Sequence, residues 1–537
     1  MKLVLIAAAL ALPSGEPPFR DIAAVAGIGW KHFNGESPDR CLVESTPGGV
    51  AFLDFDNDGL QDLFFVNGGE TPRGRSKQPV RHALYRNTGK QRFEDVTARS
   101  GLGAAFFFGM GAAAADFDND GDTDLYITGY PSSALYRNDG GKFTEVTRQA
   151  GVANQGEWGS SAAWFDYDND GLLDLFIANY AEFSFDSALR CEFEGKPTYC
   201  AQTAYRGRPS RLYRNEGGGR FADVSVASGV AAHPGRALGV VAIDYDGDGK
   251  QDLFVARDAS PNLLLRNRGG TFEDVAMEAE TAYNADGIAR AGMGVDAGDI
   301  DGDGSPDFVV TNFDGEFHAL YLNPGRLPFR ETTASSGLAA LTRPYVGWGV
   351  RMLDYDNDGD LDLLIVNGHL QEMIARSNAS VSYREPPLLL ANDGRGRFTK
   401  ADGGPVFRTG YLGRGMASGD LDNDGWIDAA FVSLNGPPVV LRNQGAGDRW
   451  LGVRLRGTAS NRDAIGARLT LQVGARRLTR WIAGGGSFLA SHDRRALFGL
   501  GSGASGELEI RWPSGLVQRV AGLAAGRYHD IEEPRRP

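Results

Sequence analysis

The sequence predicts an all-β protein, a seven-bladed β-propeller followed by a small β-rich, sandwich-like module, and three observations lead there. The motif Asp-x-Asp-x-Asp-Gly-x-x-Asp recurs seven times, a second strand signal alternates with it, and both stop near Asn443 of a 537-residue chain. A chain of this length exceeds one ordinary core, so a repeat architecture with an appendage is expected. Hydrophobic residues at 42% and charged residues at 23% are the balance of a folded globular protein.

The N-terminus opens with Met1-Lys2, an apolar run from Leu3 to Leu12, and Ala9-Leu10-Ala11 as a small-x-small site. Residues 1–11 therefore read as a secretory signal peptide, which predicts a secreted protein, extracellular or periplasmic. The run is too short to cross a bilayer, and no other stretch is long and apolar enough, so no membrane span is expected. In an oxidising compartment Cys191 and Cys200 can staple the loop between them, leaving Cys41 unpaired.

The propeller is assigned to residues 19–445. Its seven motifs place carboxylates at positions 1, 3, 5 and 9: Asp54, Asp56, Asp58 and Asp62; Asp116, Asp118, Asp120 and Asp124; Asp166, Asp168, Asp170 and Asp174; Asp244, Asp246, Asp248 and Asp252; Asp299, Asp301, Asp303 and Asp307; Asp354, Asp356, Asp358 and Asp362; Asp420, Asp422, Asp424 and Asp428. Hard oxygen donors at this spacing suit a tight loop around Ca2+, with about seven sites. Position 4 is always Asn or Gly and position 6 always Gly, residue types that tolerate a left-handed backbone. Position 7 is occupied by Leu60, Asp122, Leu172, Lys250, Ser305, Asp360 and Trp426, so it supplies no common side chain, and a backbone carbonyl ligand is expected there.

An EF-hand would need a bidentate Glu at position 12 and flanking helices. Position 12 is instead Phe65, Ile127, Ile177, Val255, Val310, Ile365 and Phe431, within short β-type runs, so each motif is read as a metal-binding β-hairpin. Asp-rich turns also occur as solvated turns. Seven full copies argue against that, because four clustered carboxylates repel one another unless a cation sits among them.

The net charge of −14 then has a local origin. The motifs hold 28 of the 69 acidic residues, and one Ca2+ per loop would bring the formal total to zero. A polyanionic face is not implied.

The alternating signal is a strand ending in Arg-Asn, a Gly-rich turn, then Phe-x-Asp/Glu-Val, as in Leu84-Tyr-Arg-Asn87 and Phe93-Glu-Asp-Val96. With the metal hairpin it makes a four-stranded blade. The spacing of the motifs exceeds the ~40–45 residues of a minimal blade, so insertions are expected, the largest in the third unit. The seventh unit lacks its Phe-x-Asp strand, while Phe19-Arg-Asp21 stands alone before the first unit, which predicts that the N-terminal strand completes the last blade.

Residues 446–533 are read as a separate β module, with strands at Trp450–Leu455, Arg468–Val473 and Glu507–Trp512. From residue 446 onward there are 15 Arg and 8 acidic residues. This excess suggests a solvated face or a polyanion contact. Nucleic-acid binding is not expected, because there is no Lys/Arg run and no recognised motif.

The loops resemble the FG-GAP/VCBS calcium repeats of integrin α-subunit propellers. The tail resembles the ASPIC/UnbV module through Ser460-Asn-Arg-Asp-Ala-Ile-Gly-Ala467, Gly484-Gly-Gly-Ser487, Phe498-Gly-Leu-Gly501 and Trp512-Pro-Ser-Gly515. The whole order is similar to the bacterial relatives of cartilage acidic protein 1. Asn367-Gly-His369 and the Cys191/Cys200 loop look like that family too, whereas Cys200-Ala-Gln-Thr-Ala departs from its frequent Cys-Gly-Pro. The resemblance implies extracellular calcium binding and adhesion or matrix contact.

Two functions compete. The first is a monomeric binding or adhesion scaffold for an extracellular glycan or protein. The second is a calcium-dependent carbohydrate-active lyase or hydrolase. Its candidate residues are His32, His82, His233, His318, His369, His492 and His529, which are scattered, and no hydrolase or metalloprotease motif accompanies them. The scaffold, not the enzyme, is the expected reading. Phe106–Phe108, Phe183, Phe185 and Tyr205 are candidates for a sugar-stacking platform.

Overall fold

The computed structural model describes residues 18–103 and 107–535. The signal segment expected at 1–11 and Phe106 of the aromatic run lie outside the described residues.

Seven sheets, each with four antiparallel strands, carry one Asp motif apiece, and two of them gain a short fifth strand, Ala490–Ser491 parallel in the first and Gly484–Gly485 antiparallel in the fourth. The first is built from Val50–Leu53, Asp62–Phe65, Ala83–Asn87 and Phe93–Asp95. First strands of the following sheets are Phe108–Ala115, Gly159–Phe165, Ala237–Ile243, Val295–Gly298, Gly347–Leu353 and Gly413–Gly419. The motif joins first strand to second in every sheet, and its last Asp is the first residue of the second strand.

The last sheet takes its fourth strand from the other end of the chain. Phe19–Asp21 pairs antiparallel with Val439–Asn443, Phe19 opposite Asn443. The seventh sheet also lies against the first, with the Gly415 amide donating to the Gly48 carbonyl at 3.0 Å.

Each outermost strand begins at or just after a buried Phe: Phe93, Phe143, Phe221, Phe272, Phe329, Phe398 and Phe19. Burial of one such ring contributes roughly 1.5–3 kcal/mol, so the repeated Phe pins the edge strand that has little else to hold it. The largest insertion falls in the third sheet, as a hairpin of Cys191–Phe193 and Lys196–Thr198. A disulfide joins Cys191 to Cys200 with Cα atoms 5.2 Å apart. Cys41 is free and buried.

The C-terminal module has two sheets. One orders Ala496–Gly499, Trp450–Arg456 and Tyr528–Glu532; the other orders Arg476–Trp481, Arg468–Val473, Ser505–Arg511 and Val517–Val520. Leu451, Val453, Leu469, Leu471, Phe498, Leu508 and Ile510 form its core.

The module is less separate than the sequence suggests. Its segment 484–493 runs in among the seven sheets and hydrogen-bonds to the first strand of each. The Val50 amide donates to the Leu489 carbonyl (3.2 Å), Ala114 to Ser491 Oγ (3.1 Å), Val295 to the Ser487 carbonyl (3.1 Å), Val350 to Ser487 Oγ (3.1 Å) and Ser418 to His492 Nδ1 (3.1 Å). In the other direction the Leu489 amide donates to Ser161 Oγ (3.0 Å) and Gly486 to the Val240 carbonyl (2.8 Å). Glycine is needed here: a Cβ on Gly485, at φ +74°, would stand 2.6 Å from the Val240 carbonyl oxygen. Phe488 is fully buried against Trp348, ring centroids 4.9 Å apart.

Candidate metal centre

The loops adopt the backbone that their composition implies. Asn57, Asn119, Asn169, Asn357 and Asn423 at position 4 have φ between 57° and 60°, and position-6 glycines between 78° and 102°. Amide groups then hold the carboxylates in place. Position 9 accepts two backbone N–H groups in all seven loops, illustrated by Phe55 to Asp62 Oδ2 (3.1 Å) and Asn87 to Asp62 Oδ1 (2.6 Å). Position 5 accepts the amide of position 7, from Leu60, Asp122, Leu172, Lys250, Ser305, Asp360 and Trp426.

So held, the acids converge. Oxygens of Asp54, Asp56 and Asp58 lie within 4.8 Å of one another, as do those of Asp116, Asp118 and Asp124, of Asp166, Asp168 and Asp174, of Asp244, Asp246 and Asp248, and of Asp299, Asp301 and Asp303. Asp56, Asp118 and Asp422 at position 3, and Asp299 and Asp354 at position 1, each bury an Oδ1 that has no hydrogen-bond partner. Buried polar atoms are normally satisfied, and a carboxylate oxygen facing other carboxylates can be satisfied by a cation. The residues therefore fit a divalent metal.

The electrostatics agree. Burial first, then neighbouring carboxylates, pushes Asp62 up to about 8 and Asp124 up to about 9, against a usual value of 3.8. Asp174 rises to about 9, and Asp252, Asp307, Asp362 and Asp428 are also raised, burial being the main cause. The Arg of the Arg-Asn signal offsets part of this from outside: Arg86 pairs with Asp56 and Asp58, Arg266 with Asp246, and Arg442 with Asp422 and Asp424.

The loops are also stitched to one another. The position-4 amide donates to the position-6 carbonyl of the next loop: Asn57 to Gly121 (3.2 Å), Asn119 to Gly171 (3.1 Å), Asn169 to Gly249 (3.1 Å), Asn357 to Gly425 (3.0 Å) and Asn423 to Gly59 (3.0 Å). The Asn ending each third strand reaches the opposite way, to the position-2 carbonyl of the preceding loop, from Asn87 to Leu421 (2.7 Å) through Asn443 to Tyr355 (2.8 Å). Sequence reasoning assigned position 4 only a backbone role; its amide was a missed function.

Two loops have Gly at position 4 and cannot donate. There the module supplies the donor. Arg468 Nη2 reaches the Gly304 carbonyl at 2.6 Å in place of residue 247, and Arg480 Nη2 reaches the Gly359 carbonyl at 3.2 Å in place of residue 302. Arg462 approaches Asp116 at 3.7 Å, Arg476 donates to the Asp358 carbonyl at 3.1 Å, and Arg494 to the Ala114 carbonyl at 2.8 Å. Arg495 donates to the Asp420 carbonyl at 2.6 Å, beside Tyr528 Oη on Asp420 Oδ2 at 2.8 Å. The Arg-rich tail expected to face solvent or a polyanion thus turns six arginines onto the chain's own sheets and loops.

The other candidates are dispersed. His32, His82, His318, His369 and His492 are buried. The imidazoles of His82 and His318 accept the Asn67 and Asn312 amides at 3.0 and 3.1 Å, and burial pushes the two rings down to about 4 and about 3. Phe183 packs edge-on to Tyr130, Trp158 and Phe185, and Tyr205 is buried in the same cluster, so these rings form packing instead of an open stacking platform.

Sequence comparison places this geometry. The FG-GAP-like repeat model matches residues 54–127, 116–177, 199–255, 244–310 and 299–365, with most boundaries at position 1 or position 12 of a loop. The chain belongs to the FG-GAP-like repeat family. Residues 457–537 match the ASPIC and UnbV model. Human cartilage acidic protein 1 is 30% identical over 324 residues, which is 58% of this chain and 46% of that protein. The mouse protein is 30% identical over 306 residues, 55% and 44% of the two lengths, so the chain matches less than half of either relative. Among solved structures, an Agrocybe aegerita lectin recognising non-reducing terminal N-acetylglucosamine aligns with TM-score 0.39 and 18% identity, over 66% of this chain and 79% of its own. Bacillus licheniformis rhamnogalacturonan lyase aligns with TM-score 0.31 and 13% identity, over 94% and 88%. Likenesses this distant carry no weight for the site.

Proposed function

We propose that this FG-GAP-repeat chain is a secreted, calcium-loaded binding scaffold whose seven sheets close into a ring, and that it holds an extracellular glycan or protein. The observation that carries the reading is the set of buried Oδ1 atoms without partners at Asp56, Asp118, Asp299, Asp354 and Asp422, inside the acidic loops that join first strand to second in each sheet. Positions 1, 3, 5 and 9 and the position-7 carbonyl would hold the ion, and Ca2+ suits an all-oxygen set. Bound, it would neutralise acids that otherwise repel one another within each loop. Because adjacent loops are tied by Asn and Arg side chains, stiffening one loop stiffens its neighbours.

Binding is favoured over turnover because the buried histidines accept backbone amides and the clustered acids are committed to the loops. The Cys191–Cys200 disulfide suits an oxidising compartment. No helix among the described residues is long and apolar enough to cross a membrane. The test is metal content by mass spectrometry, melting with and without EGTA, and a glycan array read for both capture and product release. Calcium in the purified protein, a lower melting temperature in EGTA and capture without cleavage are expected. A folded, metal-free protein indifferent to EGTA overturns the proposal, and calcium-dependent cleavage of a captured polymer replaces it with the enzyme.

A further inference from the structure

Between loops 4 and 5 and the module lies a cleft of about 340 Å3, within the range of small-ligand sites of roughly 300–1,000 Å3. It lies where the Asn bridge is missing, because position 4 of loop 4 is Gly247, around whose Cβ position there is open space. Its floor is a row across three paired strands: Arg468 stands directly opposite Trp481 on one side and Arg511 on the other.

Like charges directly opposed across strands repel, and this pair is poorly compensated. Among the described residues Arg468 has no ion pair: its Nη2 is on the Gly304 carbonyl and its guanidinium stands 5.6 Å over the Trp481 ring, but its Nε is buried without a hydrogen-bond partner, and Arg511 meets only Glu509, at 3.6 Å. A third group in the cleft is also unsatisfied: Gln251, 4% exposed, has an Oε1 without a donor. Asp246 and Asp303 of the two metal loops form the facing wall.

These groups ask for one chemistry. Two guanidiniums want a carboxylate, an unpartnered amide oxygen wants a hydroxyl, and an indole offers an apolar face to a ring. An acidic peptide side chain supplies the first alone, whereas a uronic acid supplies all three. We propose that this cleft takes a uronic-acid residue of an acidic glycan, its carboxylate between Arg468 and Arg511 and its ring beside Trp481. The proposal deepens the scaffold reading and rests on it, because empty loops 4 and 5 would present bare carboxylates to the incoming anion and filled loops would not.

The test is titration calorimetry of the full chain in calcium with hyaluronan and galacturonan tetrasaccharides, cellotetraose as neutral control, penta-glutamate and inorganic sulfate. At least one acidic tetrasaccharide should bind, and cellotetraose should not. Arg511→Ala, on an exposed side chain, should weaken binding at least tenfold with unchanged melting. Gly247→Asn should abolish it by placing an amide where loop 4 can reach the Gly304 carbonyl, and should not lower the melting temperature. Equal binding of cellotetraose, affinity unchanged in both variants, tighter binding of penta-glutamate, or no binding of either acidic tetrasaccharide each overturns the cleft assignment. Loss of the cleft assignment with melting still calcium-dependent leaves the scaffold standing, whereas indifference to EGTA removes the scaffold itself.

Discussion

Replacing Asp118 by Ala should destabilise the protein in calcium but not in chelator. The side chain occupies position 3 of loop 2, its Oδ1 is buried without a partner, and its oxygens lie within 4.8 Å of those of Asp116 and Asp124. Two unit charges 4.8 Å apart repel by about 3.5 kcal/mol at an effective dielectric of ~20, and proton uptake by the raised Asp124 relieves part of this, so without metal the substitution removes a penalty or changes little. With metal it removes a ligand. If the site binds near ~10⁻⁴ M, the range of extracellular modules, then calcium at a hundredfold excess over that contributes about 2.7 kcal/mol, and most of this is lost. At ~2.1 cal/mol/K of unfolding entropy per residue, a chain of 537 residues shifts by about 1 °C per kcal/mol. Scanning calorimetry should therefore find Asp118→Ala lower by about 2–3 °C in calcium, and unchanged or higher in EGTA. An equal fall in both buffers would mean that the carboxylate is a structural acceptor and no ligand.

Three further outcomes are expected. Metal-free protein should lose stability as pH rises from about 4 toward about 9: Asp62, Asp124 and Asp174 are raised well above 3.8, so the native state holds more protons than the unfolded chain across that window, and chemical denaturation in EGTA at several pH values measures the slope. Calcium should abolish the trend. Phe488→Ala, at a fully buried ring against Trp348, should cost about 3–5 kcal/mol, read as a lower denaturation midpoint together with faster amide exchange in the first strands. Cys191→Ser with Cys200→Ser should destabilise by about 2–3 kcal/mol at most, as a short closed loop allows, and limited proteolysis should begin within residues 191–200.

Much of the architecture is legible in the residues because the repeat is local. Asp motifs, the buried Phe of each outer strand and the stray Phe19-Arg-Asp21 all mark strand positions without reference to distant parts of the chain, and Phe19–Asp21 does pair with Val439–Asn443. Left-handed φ values were likewise implied by Asn57 and its equivalents. What stayed hidden is relational. That Asn423 reaches Gly59, or that Arg468 serves where Gly247 cannot, depends on which loop lies next to which. Gly484-Gly-Gly-Ser487 gave no physical signal on its own, since its purpose is to let a backbone approach strands that come from everywhere in the chain. The tail's positive charge was visible, but its destination was not, because charge counts carry no direction.

Segment 484–493 has a consequence for biosynthesis. Every first strand waits for hydrogen-bond partners in a segment made after all seven sheets, and Phe19–Asp21 waits for the sheet numbered seventh. A nascent chain can therefore assemble individual sheets as they emerge, but their first strands keep unmet hydrogen-bonding groups, open to chaperones and proteases, until residue 493 has been made. Termination anywhere before residue 484 would yield sheets without the segment that bonds to all of their first strands.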